Sequence, residues 1–94
     1  MTDLRKGAKG MPCMVRLTGC LGTGDTTVLA HYRLAGYSGT GLKPPDIMGA
    51  WACANCHDLI DGRRREPNHC RQDIRLAHAE ACLRTAVERE RRNA

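Results

Sequence analysis

Phenylalanine is absent from this 94-residue chain, and its aromatic side chains are limited to Trp51, Tyr32 and Tyr37. A domain of this size buries only part of the surface that its unfolded chain exposes. With so few large rings, apolar burial alone leaves the fold marginal, and ten glycines raise the chain entropy that folding must overcome. A second source of stability is needed, and small domains find it in disulfides or a structural metal. Long apolar runs are also missing. No stretch is long enough to cross a bilayer, and Met1-Thr2-Asp3-Leu4-Arg5-Lys6-Gly7 leads into no apolar segment of an export signal. The expected location is cytoplasmic, with no membrane partner. Acidic residues are in deficit, ten against fifteen Lys and Arg, for a net charge of +5.

What the chain does have is six cysteines. In a reducing compartment disulfides are rare, and a Cys-x2-Cys pair is expected to bind metal or to do redox chemistry. Cys53-Ala54-Asn55-Cys56 is such a pair, and Cys13 and Cys20 form a second, more widely spaced one. Together they provide the four thiolates that a closed structural zinc site prefers. His57 turns the first pair into Cys-x2-Cys-His, which is also a haem attachment sequence. Zinc is the better reading. Haem attachment of that kind goes with export, every methionine precedes the motif, and Cys13 and Cys20 would be left without a task. Cys70 has no nearby cysteine and Cys82 falls within a helical pattern, so both are expected to be free core cysteines.

The excess charge is arginine, whose planar fork suits phosphate. Arg5, Lys6 and Lys9 form one cluster, Arg63-Arg64-Arg65 a second, and the tail from Arg84 to Arg92 a third. In the tail, Glu88 and Glu90 alternate with the arginines, which reads as a solvated helix face. Residues 1–12 read as a mobile basic arm and 13–94 as one domain. Thr26 to Leu34 is rich in β-branched residues and predicts a strand. Gly36 to Pro45 breaks regular structure and lacks the lysine placement of a phosphate-binding P-loop. Asp46 is suited to capping a short turn through Ile47 and Met48, with Trp51 as core anchor. A helix is predicted from about Cys56 to Asp61, stopped by Gly62. A last helix, capped by Asp73, is predicted to bury Leu76, Ala79, Leu83, Ala86 and Val87.

Three residues suggest chemistry beyond the knuckle. His57 and Asp61 stand at i and i+4, on one face of the predicted helix, a spacing suited to joint coordination of a cation. His31 ends the predicted strand. A strand-end histidine facing a helix that carries His and Asp is the layout of a one-metal phosphodiesterase, in which a water is made nucleophilic and a cation neutralises the leaving oxygen.

That arrangement resembles the HNH, or ββα-metal, nucleases. More closely, Cys13-Met14-Val15-Arg16, Val28 to Leu34 and Gly49-Ala50-Trp51-Ala52-Cys53-Ala54-Asn55-Cys56-His57-Asp58 are similar to the small YbcO-like nuclease family of lambdoid prophages. The resemblance implies an α+β fold, an HNH-like ββα-metal core with a zinc knuckle and a C-terminal helix. It implies DNA as substrate, His31 as general base, and His57 with Asp61 on a catalytic Mg²⁺ or other divalent ion beside the structural Zn²⁺. Arg33 and Arg63, Arg64 and Arg65 would hold the DNA backbone, and a phage or host recombination protein would be the expected partner. At Ala30 many HNH enzymes carry an acidic metal ligand. The alternative is therefore a non-catalytic zinc module that binds nucleic acid or a protein.

Overall fold

Val28-Leu29-Ala30-His31 forms strand β1, and Gly49-Ala50-Trp51-Ala52 forms β2. The two pair antiparallel, Val28 with Ala52, Leu29 with Trp51, Ala30 with Ala50 and His31 with Gly49. The computed structural model describes residues 4–39, 41–42 and 44–93. Met1 to Asp3 of the basic arm, Thr40 and Lys43 of the glycine-rich segment, and Ala94 at the end of the expected domain lie outside them. β1 is shorter than the nine residues expected. Its partner offers only four residues, because a 3₁₀ turn at Asp46–Met48, entered from Pro45, leads directly into β2. Gly49 is required in this ladder, since an added Cβ would come within 2.6 Å of the Leu29 side chain.

Helix α1 covers Leu4–Gly7, and the segment read as a mobile arm continues into Ala8, which is fully buried in the core. After β2 the chain turns into α2, Ala54–Asp61, two residues earlier than expected because Cys53 caps it, its sulfur accepting from the Cys56 N–H. Gly62, at φ 80°, closes the helix in the left-handed conformation that glycine adopts without strain. Arg71 then clamps this end. It donates to the carbonyls of Leu59 (3.0 Å) and Ile60 (2.8 Å), both in the last turn, where carbonyls lack the regular helical partner.

Helix α3, Arg71–Asn93, packs on β2. Asp73 lies inside its first turn, where its charge suits the helix dipole, and is not the residue that precedes it. The helix also faces the other way from the sequence expectation. Leu76, Leu83 and Val87 are exposed, Leu83 by 70%, while Ile74, His78, Ala81 and Thr85 form the buried row. The reason is steric and polar together. β2 is built of Gly, Ala, Trp and Ala, a surface that small residues approach more closely than leucines can. The inward polar groups find partners there: Thr85 Oγ1 accepts the Trp51 N–H at 3.0 Å, and His78 Nε2 lies 2.9 Å from the Ala30 carbonyl. Cys82 is half-buried with its thiol donating to the Met48 carbonyl, whereas Cys70 is exposed and not a core residue. In the tail, Glu88 pairs with Arg91 and Arg92. Thr85→Val keeps the shape but leaves the Trp51 N–H unpaired in the interior, and a loss of about 1–3 kcal/mol in urea unfolding is expected.

Candidate functional site

Two sites are built on the two ends of α2. At its N-terminus the sulfurs of Cys13, Cys20, Cys53 and Cys56 all lie within 4.8 Å of one another. Zn–S bonds of about 2.3 Å in a tetrahedron separate sulfurs by about 3.8 Å, so the donor set matches a metal such as zinc. The surroundings suit thiolates. Backbone N–H groups of Leu21 and Cys56 point at the Cys53 sulfur (3.3 and 3.4 Å), and that of Gly22 at Cys20 (3.4 Å). The hydrogen bond between Cys13 and Cys56 holds Cys13 well below the usual thiol range and pushes Cys56 above it. Burial raises Cys20. Crowded thiols of this kind compete for one negative charge, a conflict that a divalent cation removes. The loop from Leu17 to Cys20 is held by Asn55, whose amide donates to the carbonyls of Thr18 and Gly19. Gly19, at φ 81°, leaves no room for a Cβ beside that amide.

At the other end of α2 a cleft of about 460 Å³ opens between β1, α2 and α3. His31 and Asp61 line it, and His57 Nε2 stands 3.2 Å from Asp61 Oδ2. The rim is cationic, with Arg33, Arg63, Arg71 and Arg75. Arg63 is held 3.6 Å from Asp58 and 3.7 Å from Asp61. Arg64 pairs with Glu66 instead, and neither it nor Arg65 lines this cleft. Arg75 lies with its guanidinium 4.8 Å from the centre of the Tyr32 ring.

His31 is not alone on its strand end. Its Nε2 lies 2.6 Å from Asp46 Oδ1, and Arg5 from α1 approaches the same carboxylate oxygen at 3.4 Å. The hydrogen bond to His31, with the charge of Arg5 behind it, holds Asp46 below the usual carboxylate range. His78, which lines the same cleft, braces the strand through Ala30 and meets Tyr32 edge-on, the rings 5.0 Å apart. Burial pushes this imidazole below its ordinary value near 6.5. A histidine buried neutral stabilises the fold above that ordinary value and loses the contribution as pH falls and the unfolded chain takes up the proton. Thermal unfolding should therefore shift to lower temperature as pH falls from 7 toward 5, and His78→Gln should flatten that dependence.

Comparison with other proteins follows the same span of chain. The sequence matches the model of the family described as "Putative nuclease YbcO" over residues 2–93. The chain belongs to the YbcO family. Its relatives include the protein named "Putative nuclease YbcO" of Escherichia coli K-12 and the protein named "Putative nuclease ybcO" of Enterobacteria phage 82. Each is 56% identical over 64 residues, which is 67% of this chain and 67% of the relative. A solved structure, described as that of a putative bacteriophage protein from E. coli K-12, superposes with a TM-score of 0.74 at 37% identity, covering 95% of this chain and 98% of the other.

For this YbcO-family chain, the residues singled out from sequence fall into three groups. Cys13, Cys20, Cys53 and Cys56 come together, and His31, Asp61, Arg33 and Arg63 share one cleft, with His57 against Asp61. Arg64 and Arg65 lie over a neighbouring recess. Asp46, Arg71, Arg75 and His78 were missed. Asp46 was visible only as a cap candidate, and nothing local marks His78, because its importance comes from the strand it touches 48 residues away.

Proposed function

We propose that this chain is an HNH-type endonuclease that hydrolyses DNA phosphodiester bonds with the help of a divalent cation. The observation that carries the reading is the cleft in which His31, oriented by Asp46, and Asp61, paired with His57, stand within one arginine rim. The names of the YbcO relatives point the same way.

With Asp46 accepting the Nε2–H of His31, the other ring nitrogen is left unprotonated and able to take a proton from water. That water attacks phosphorus in line with the departing 3′ oxygen. His57 and Asp61 would hold a Mg²⁺ or similar ion, which supplies charge stabilisation to the leaving oxygen when bound. Arg33 and Arg75 stand at the rim to hold the flanking phosphates, and Arg63 keeps Asp61 in place while adding to the positive field. A zinc ion on Cys13, Cys20, Cys53 and Cys56 would lie at the far end of α2 and would hold that helix against β1 and β2.

The test is conversion of supercoiled plasmid to open circles by the zinc-loaded protein on addition of Mg²⁺ or Mn²⁺. Cleavage that needs the added cation is the expected result. Binding without cleavage under every cation tried would make the chain a non-catalytic zinc module.

A further inference from the structure

The cleft at His31 does not end at Arg71. Arg71 and Ile74, at the start of α3, line a second recess of about 670 Å³ on their other side. Its walls come from the connection between α2 and α3, with Arg64, Arg65, Pro67 and His69. These walls are braced. His69 Nε2 lies 2.8 Å from Thr18 Oγ1, and Arg64 donates to the Thr18 carbonyl and to Glu66, both at 3.4 Å. The recess is thus tied to the loop between Cys13 and Cys20. Arg65, in contrast, is exposed and makes no ion pair among the described residues.

A recess of this size, with Pro67 and the buried Ile74 as apolar surface and guanidinium groups around it, lies in the range that holds small ligands. Continuous duplex would leave it unused, because stacked DNA offers a protein surface mostly phosphate and sugar. A single base offers a flat apolar face, which stacks on arginine planes and packs on apolar side chains. Arg71 links the two spaces. After bonding two carbonyls, its terminal nitrogens each keep a second N–H for a phosphate.

We infer that this recess is a subsite for one unstacked nucleotide of the DNA strand whose backbone lies in the His31 cleft, so that the protein selects DNA with a single-stranded stretch beside the bound phosphate. The inference rests on the DNA reading above and adds a structural preference to it. Arg65 stacks on the base, Pro67 and Ile74 take its other edge, and Arg71 bridges to the phosphate before it.

The test is fluorescence binding by the zinc-loaded full-length protein without added Mg²⁺ or Mn²⁺. A blunt duplex is compared with the same duplex carrying a three-nucleotide overhang with 2-aminopurine in it. About tenfold tighter binding of the overhang, with a change in 2-aminopurine emission, is expected. Arg65→Lys, which keeps the charge but removes the plane, should erase that preference, and His69→Ala should reduce it. Equal affinity for both DNAs with unchanged emission overturns the subsite, as does a preference that survives Arg65→Lys. The nuclease reading fails separately, through a protein that never nicks plasmid yet still prefers the overhang.

Discussion

Replacing Cys53 or Cys56 by serine is expected to leave the protein unfolded at 25 °C and without its metal, while Cys70→Ser changes neither melting nor metal content. The size of the effect follows from the core. Its fully buried members are mainly alanines, cysteines and Leu59, with Trp51 as the one large ring. A structural zinc contributes on the order of 10 kcal/mol or more, as much as the whole net stability of an ordinary domain. Cys53 holds two positions at once, member of the four-sulfur cluster and cap of α2, so its loss also frees the end of the helix that carries His57 and Asp61. Circular dichroism melting with elemental analysis checks this: roughly one zinc per chain in wild type, none in either serine variant, and no Soret band. A Cys53→Ser protein that melts like wild type would falsify the structural role of the metal.

His31→Ala is expected to lower plasmid nicking by about 10²- to 10⁴-fold, the usual contribution of a general base, with zinc content and melting temperature unchanged. His31 suits this test because its ring is only part-buried and its hydrogen bond is to the half-exposed Asp46, so its removal leaves the core intact. Asp46→Asn should fall between wild type and His31→Ala. The amide can still approach His31, but it no longer provides a charge that selects which ring nitrogen carries the proton. Since Asp46 is held below the usual carboxylate range, it keeps its charge down into mildly acid solution, and any loss of activity between pH 7 and 5 cannot come from its protonation. Nicking by purified His31→Ala at the wild-type rate would remove His31 from the mechanism.

Much of the site was legible from local spacing. Cys53 and Cys56 sit three residues apart, and His57 and Asp61 four apart, so a helix starting near Cys53 is enough to bring each pair together. Gly62 and Trp51 were legible for similar reasons, one through the left-handed stop it allows, the other as the one large ring of the core. The face of α3 was not legible. Two rows compete on that helix, Leu76, Leu83 and Val87 against Ile74, His78, Ala81 and Thr85, and hydropathy favours the wrong one. The outcome depended on what lay opposite, a strand of small residues whose backbone N–H and neighbouring carbonyl needed Thr85 and His78.

The amino-acid sequence by itself determined which four cysteines come together, the helix that carries His57 and Asp61, and the family to which the chain belongs, because each is written in cysteine pairs, in neighbouring residues or in direct likeness of sequence. Only the tertiary structure decided that Asp46 orients His31, that His78 supports the strand beneath it, and that Arg71 stands between two recesses. Those contacts join segments separated by connections whose path no local pattern encodes, and they form only once β1, β2 and α3 are packed.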